Sequence, residues 1–532
     1  VRKITREDAW RPVQDTSSKL DTAVLSRILD DIYGSRYQFL HDNGLQRLSD
    51  ANDYYTYYDL GDGEWGTGQY WSMPNSLGYE ATVMPVNLAR WFVKKRSAWM
   101  FEVAPDIEVH AKVVDSVEEM EKLDYEPSKR QTTLDAQASS REQMLYKVWQ
   151  DNRFDEKLLT AAVDYFVGGT VALKIRHLPS GIRLNFAPTQ EVYPIFNDDD
   201  PDKLESCSFV SYKDSPNVIW KQTWELYNGK CYLTEGLYRA DNLDTVQVVH
   251  NRADTRLDFI PVILFPNEAL SGEPFGVSYL KDLIPLFDQY NRSMSDAADG
   301  LRFNLFAVTV LLNAAPDAEQ MLKIAPNELW NLGGEGVDAK KLESSFNYSA
   351  ALADFLTRLE NLTHLIGEVP DITPDRIKGF GLVSGVALKL LYSDLVSATQ
   401  RAWRIWKSRL AEMNEDILKM LEIYNPYDFN TSDIKGDYSN RIIPHLPLPE
   451  NEAEKIALEV NKLSNSLQSV KGAMQETGEK FPERKIAEII SERQKFLGDT
   501  GMSAKLSQEQ QKLFNPDIST ESQGGALNAK NG

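Results

Sequence analysis

Leu283-Ile284-Pro285-Leu286-Phe287-Asp288-Gln289-Tyr290-Asn291 lies in the stretch that decides how this chain is read. From Val277 to Leu301, Leu280, Leu283, Ile284, Phe287, Tyr290, Met294, Ala297 and Leu301 recur in steps of three and four, which predicts a helix with one apolar face. Opposite them, Asp288, Arg292, Ser295 and Asp299 stand at i, i+4, i+7 and i+11 as a polar stripe. The same period returns over Tyr348–Ile366 through Leu352, Phe355, Leu359, Leu362 and Ile366. Between these helices, Phe306–Leu312 and Glu328–Asn331 read as short strands around Gln320–Ile324, a small α/β insertion. Gly367–Gly385, with Pro370, Pro374, Gly379 and Gly381, reads as a loop, and loops of this length usually have a task. Beyond it, Val386–Tyr424 contains neither Gly nor Pro, and Leu388, Leu391, Leu395, Ala398, Ala402, Trp406, Leu410, Met413, Ile417 and Leu421 mark one face. At 1.5 Å per residue that helix would be about 60 Å long, more than a compact enzyme usually needs.

Towards the amino terminus, Thr22–Leu40 repeats helical spacing through Val24, Leu25, Ile28, Leu29, Ile32 and Tyr33, whereas Asp50–Tyr79, rich in Asp, Tyr and Gly, reads as loop. Asn87–Phe101 is helical, with Leu88, Trp91, Phe92 and Trp99 roughly on one face and Lys94, Lys95 and Arg96 read as solvated charge. A helical region over Gln131–Phe166 ends at Gly168-Gly169. The period then becomes two: Val171, Leu173 and Ile175 lead through Ser180-Gly181 to Ile182, Leu184 and Phe186, a hairpin. Ser208–Tyr212, Thr223–Tyr227, Lys230–Thr234 and Thr245–Val249 are further strands, with Asn228-Gly229 as a two-residue turn, so Val171–Phe265 is mostly β. After Asn425-Pro426, an extended Ile442–Pro449 leads to polar helices near Asn451–Val470 and Glu483–Phe496. The Ser-, Gln-, Asn- and Gly-rich sequence from Gly498 is expected to stay unfolded. The fold class is α+β.

Composition narrows the function. The 532 residues, 42% hydrophobic and 26% charged, suit a large protein with several packed regions. The longest apolar runs, Phe259–Phe265 and Leu305–Leu312, fall far short of the roughly 20 residues of a spanning helix, so no membrane association is expected. Val1-Arg2-Lys3-Ile4-Thr5 lacks the features of a secretory signal, and synthesis in a cytoplasm is the expectation. A formal charge of −21 disfavours a surface that grips nucleic acid by neutralising phosphates, but it suits a passage along which a polyanion slides; plain solubility is the alternative.

Local signatures of catalysis are missing. Gly61-Asp62-Gly63-Glu64-Trp65-Gly66 spells GxGxxG, yet Gly68, Tyr70 and Trp71 follow where a helix should open. No GxxxxGK[ST] exists, and Gly333-Gly334-Glu335-Gly336 lacks the following Lys-Ser/Thr. The six histidines are scattered, with no HExxH, so no metal or other cofactor is expected. Asp198, Asp200 and Asp202 match three calcium-loop positions, but Lys203 replaces the glycine and Phe209 the terminal glutamate, leaving an acidic surface turn. Cys207 and Cys231 are assigned no role.

The order of elements, together with Phe259-Ile260-Pro261-Val262-Ile263, Asn267, Gly276, Leu283–Asn291 with Ser295-Asp296, and Ser384-Gly385-Val386-Ala387-Leu388, resembles the portal, or head–tail connector, family of tailed bacteriophages over roughly Ala81–Leu497. The resemblance implies a non-enzymatic homo-oligomeric ring, commonly a dodecamer, at one capsid vertex of the virion. Double-stranded DNA would pass through it without sequence recognition, and terminase, head–tail adaptor, major capsid and scaffolding proteins would be its partners. It also implies a partition of the chain: a peripheral region at 1–80, a wing at 81–276 that is helical and then β-rich, stem helices at 277–300 and 347–366, and a clip at 301–346. A tunnel loop at 367–385, a long wing helix and return at 386–447, a crown at 448–497 and a tail at 498–532 complete it. On this reading the loop residues Arg376, Lys378, Phe380 and Leu382 meet DNA, the two cations on its backbone. Asp288, Arg292, Ser295 and Asp299 face the channel or else form a solvated outer face, and Trp403 and Trp406 pack between subunits or else within the core. The rival readings are a metal- or nucleotide-dependent packaging or nuclease enzyme, and another virion part such as a baseplate or adhesin subunit.

Overall fold

The computed structural model describes residues 22–34, 38–60, 86–122, 126–197, 199–200, 203–213, 215–271, 273–305, 308–312, 338–342, 349–371, 390–447, 452–479 and 485–492. Two compact units emerge, one of residues 1–381 with 390–447 and the other of 382–389 with 448–532.

In the first unit, helices α1 (Thr22–Ile32), α2 (Gln38–Leu60) and α3 (Leu88–Phe101) precede strand β1 (Asp106–Glu108) and α4 (Val117–Met120). Helices α5 (Lys129–Asp151) and α6 (Phe154–Gly168) follow; the single helical region expected over Gln131–Phe166 is broken in two. The break is built by Arg153, at φ +46°, and by Asn152, whose buried amide donates to Val148 O at 2.8 Å and Ile182 O at 2.9 Å. The Asn152 side-chain oxygen accepts from Leu184 N at 2.9 Å, so the kink is stitched to the neighbouring sheet.

Strands β2 (Thr170–Leu178) and β3 (Gly181–Pro188) form the expected hairpin, and β9 (Val262–Pro266) adds to β2 in a three-stranded antiparallel sheet of order β3-β2-β9. Strands β4 (Val192–Phe196), β5 (Leu204–Lys213), β6 (Ser215–Tyr227), β7 (Lys230–Arg239) and β8 (Thr245–Asp254) form a second sheet in sequential order. Asn228-Gly229 makes the β6–β7 turn with φ +50° and +72°, the left-handed pair a two-residue hairpin requires. Strand β4 is an element the periodicity did not single out.

The apolar face of α1 covers this sheet: Val24, Leu25, Ile28, Leu29 and Tyr33 pack with Tyr193, Ile195, Val210 and Ile219. Helix α2 runs to Leu60, so the expected loop over Asp50–Tyr79 is helical in its first part; residues 61–79 lie outside the described residues. The polar composition of α2 hid it. Tyr57 is fully buried, and tyrosine hydroxyls find carboxylates on other helices: Tyr55 donates to Asp164 at 2.8 Å and Tyr57 to Asp288 at 2.7 Å.

Helices α7 (Ile284–Leu305) and α8 (Ser349–Ile366) pack on each other, and strands β10 (Val308–Leu312) and β11 (Asp338–Leu342) pair antiparallel between them. The partner of the first strand is thus Asp338–Leu342; Glu328–Asn331 and Gln320–Ile324 lie outside the described residues. Helix α9 spans Ser393–Tyr424, 32 residues or about 48 Å, because a turn at Tyr392 interrupts the helix expected from Val386. Strand β12 (Arg441–Ile443) returns to pair with β1. The second unit holds α10 (Glu452–Ser464) and α11 (Val470–Glu476), split at residues 465–469 where one helix was expected over Asn451–Val470.

Candidate functional site

The α7–α8 hairpin and the ground it stands on form the candidate site. Residues 277–283 make turns that seat Leu280 and Leu283 in the core, and Pro285 sits at the second helical position, where a missing N–H costs nothing. The approach is set by two glycines. A Cβ on Gly276 would lie 2.1 Å from Asn267 N, and one on Gly169, at φ +72°, 2.7 Å from Gly276 O, so the end of α6, the end of β9 and the entry to α7 meet backbone to backbone. Phe287 is fully buried with its ring 5.6 Å from Phe92 of α3 and 6.4 Å from Tyr57 of α2, and the His364 ring of α8 lies 5.2 Å from Phe92. Tyr290 donates to Glu360 at 3.2 Å across the hairpin, and buried Asn291 accepts from Val86 N at 3.1 Å.

The four residues of the polar stripe are not one open face. Asp288 is held by Tyr57, and burial raises its pKa while the Tyr57 hydrogen bond and Arg292 oppose the rise. Ser295 is 1% exposed and donates to Asn291 O at 2.9 Å, and Asp299 is 7% exposed. Part of the stripe turns into the chain's own packing: Tyr57 of α2 holds Asp288, and Ser295 and Asp299 are buried. Among the described side chains, those that α7 leaves exposed include Gln289 and Asp296, in line with Asp282 just before the helix, besides Pro285 and Leu301.

Trp403 and Trp406 pack within the chain, the second of their two expected readings. Trp406 is fully buried with its ring 4.4 Å from Phe265, 4.9 Å from Phe101 and 5.5 Å from Tyr165, and Trp403 lies 5.0 Å from Phe101. Their area is spent inside the chain, joining α9 to α3, α6 and β9, and none is left for a neighbouring subunit. Arg376, Lys378, Phe380 and Leu382 lie outside the described residues.

The feature that periodicity missed is a charge clamp where α8 ends. A Cβ on Gly367 would stand 2.7 Å from Phe92 Cε1, so α3 can approach only because the side chain is absent. Tyr279 donates its hydroxyl to Gly367 O. Glu368, at φ +50°, accepts from Arg96 at 3.1 Å and from Arg401 at 2.6 Å, which ties α8 to both α3 and α9. Arg96 is 3% exposed, its guanidinium 4.8 Å above the Tyr279 ring and 5.2 Å above Phe166, so the solvated reading of Lys94, Lys95 and Arg96 fails for its third member. The signal was there: Arg96 shares a helical face with Phe92 and Met100.

Among the described residues, no group of three or more His, Cys, Asp or Glu could hold a metal, and no helix is long and apolar enough to cross a membrane. Burial pushes the Cys231 thiol up to about 11 and Cys207 higher still, so both are inert hydrophobes. In the acidic turn, Asn197 accepts from Asp199 N and Asp200 N at 2.9 and 3.2 Å, and Lys203 pairs with Asp200 at 2.9 Å; Asp198 and Asp202 lie outside the described residues.

Solved structures similar to this chain include a chain of the neck of an empty GTA particle computed with C6 symmetry, at 10% identity and TM-score 0.36, covering 77% of this chain and 98% of that one. A chain of the neck of a native GTA particle computed with C12 symmetry matches at 10% identity and TM-score 0.29, covering 61% and 79%. No curated protein matches. The family profile described as phage portal protein, SPP1 Gp6-like, matches residues 37–495, starting well before Ala81 and taking in all of α2. A match of that extent covers the hairpin, its clamp, both sheets and the long helix, and the chain belongs to the SPP1 Gp6-like phage portal protein family.

Proposed function

We propose that copies of this chain close into the portal ring at one capsid vertex, the channel through which double-stranded DNA is packaged and ejected and the platform on which terminase and head–tail connector proteins dock. The observation that carries this reading, within a portal-family chain, is an apolar helix face left open. Helix α8 exposes Phe355 at 44%, Leu362 at 43%, Leu365 at 68% and Ile366 at 42%, and the first, second and fourth stand at i, i+7 and i+11. Covering each would contribute up to about 1.5–3 kcal/mol, and a neighbouring copy of the hairpin is the natural cover.

In this reading residues 277–300 and 347–366, with most of α7 and all of α8, are the stem, residues 301–346 the clip, residues 367–385 the tunnel loop, and 448–497 the crown. Asp282, Gln289 and Asp296, exposed at seven-residue intervals, would present an acidic and neutral wall that a phosphate backbone slides past without binding. Arg376 and Lys378 would supply the few sequence-independent phosphate contacts. The Glu368 clamp would fix the root of that loop to the rigid long helix. Gold-labelled antibody against the chain, applied to intact particles, is expected to mark a single capsid vertex; labelling at the distal tail would instead support a baseplate or adhesin subunit.

A further inference from the structure

The second unit carries a groove that its own helices leave unfilled. Helices α10 and α11 and the turn between them enclose about 790 Å³, and the lining side chains Ile456, Val460, Leu467 and Val470 are 53%, 44%, 78% and 44% exposed. The groove is not purely apolar. Glu459 lines it and is 4% exposed, one carboxylate oxygen pairing with Lys462 at 2.6 Å while the other, Oε2, is buried without a hydrogen-bond partner. Gln468 lines it as well, and its side-chain oxygen is likewise buried and unsatisfied. A buried carboxylate oxygen left unpaired is costly to keep out of water. The occupant these groups call for is an apolar helix face flanked by cationic donors.

The chain supplies such a segment. Beyond residue 492, Met502, Leu506 and Leu513 stand at i, i+4 and i+11 with Phe514 adjacent, and Lys505 and Lys512 flank them at a spacing of seven. Nine residues, 493–501, separate this segment from the last described residue and can span up to about 30 Å. We propose that Met502–Phe514 of the same chain docks in the α10–α11 groove, its leucines on the exposed aliphatic side chains and a lysine on Glu459 and Gln468. The expectation that everything past Gly498 stays unfolded would then hold only for the sequence beyond this segment.

The test uses the full chain with cysteines at Leu467 and Leu506 (L467C/L506C), since both native thiols are buried. Under mild oxidation an intramolecular disulfide is expected to form at least ten-fold faster than in the control L467C/A526C. Tether length alone, 14 against 34 residues from Glu492, accounts for only about four-fold, because effective concentration falls as roughly the −3/2 power of length. Adding K505E/K512E should erase the excess. A ratio near four, or cross-links found only between differently mass-tagged chains mixed as L467C and L506C, would overturn the proposal, the latter in favour of a second copy as occupant. Hydrogen exchange over residues 456–477 gives a second reading: L506D/L513D should speed it about ten-fold, and unchanged protection would contradict docking.

Discussion

Glu368 compensates a guanidinium that burial has stripped of water, so its removal is costly in a way that removing an exposed partner is not. Glu368→Ala leaves Arg96 charged and 3% exposed, and a loss of about 3–5 kcal/mol in guanidinium-chloride unfolding is expected. Arg401→Ala should cost about 1 kcal/mol or less, because Arg401 is 45% exposed and Arg96 still pairs with the carboxylate. Equal losses from both variants would show that the clamp does not work through burial. Asp416, 6% exposed in α9, is pushed up to about 7 by burial, against the pull of Lys419. Its pKa is therefore raised on folding, so the native chain holds a proton that the unfolded chain releases near pH 4. That contribution is full below pH 4 and is lost as pH rises through 7. Asp416→Asn is expected to stabilise the chain more at pH 8 than at pH 5, by a difference on the order of 1–3 kcal/mol in urea denaturation; a pH-independent effect would contradict this. Neither residue stood out in the sequence: Glu368 falls in a stretch read as loop, and a charge on an apolar helical face, such as Asp416, looks the same whether it is paired or solvated until the opposite element is known.

Among the elements, those with one regular apolar period were legible: α3, α8, the β2–β3 hairpin and the β6–β7 turn lie where alternation or 3.6-residue spacing placed them, while α1 starts at Thr22 as expected but ends at Ile32 rather than reaching Leu40. Two kinds were not. Helix α2 buries tyrosines whose hydroxyls are satisfied by Asp164 and Asp288, so its inward face counts as polar in any apolar pattern. The interruptions at Asn152-Arg153 and Tyr392 depend on tertiary hydrogen bonding or on a local turn, which leave no mark on periodicity. Trp406 was identified as an anchor, between subunits or within the core, and its ring packs within the chain. Because its ring meets α3, α6 and β9 at once, Trp406→Ala should cost about 3–5 kcal/mol and lower thermal stability of the isolated chain, measurable by calorimetry; a loss seen only in the assembled state would restore an inter-subunit role. Gly276→Ala should be comparably damaging, since the added carbon meets backbone atoms that cannot move aside.

For the whole molecule, the family and the α+β organisation were readable from the order of motifs, whereas the face of α7 that the chain itself covers was not. Periodicity finds two faces on α7 but cannot tell which is covered by α2 and residue 86 of the same chain. Phe355→Glu with Leu365→Glu is expected to leave the circular dichroism of the chain unchanged while shifting sedimentation from a ring to free subunits, as two exposed contacts per interface are replaced by charge. Replacing Arg376 and Lys378 by Ala should leave ring formation intact and reduce the fraction of DNA-filled heads; normal filling would remove those cations from the mechanism. The most direct test of the central claim is an electron-microscopic view of the purified chain along its symmetry axis. A closed annulus of identical subunits, with a bore that admits B-form duplex, is the expected result; a particle that stays monomeric under every assembly condition, or a bore too narrow for duplex DNA, would contradict it.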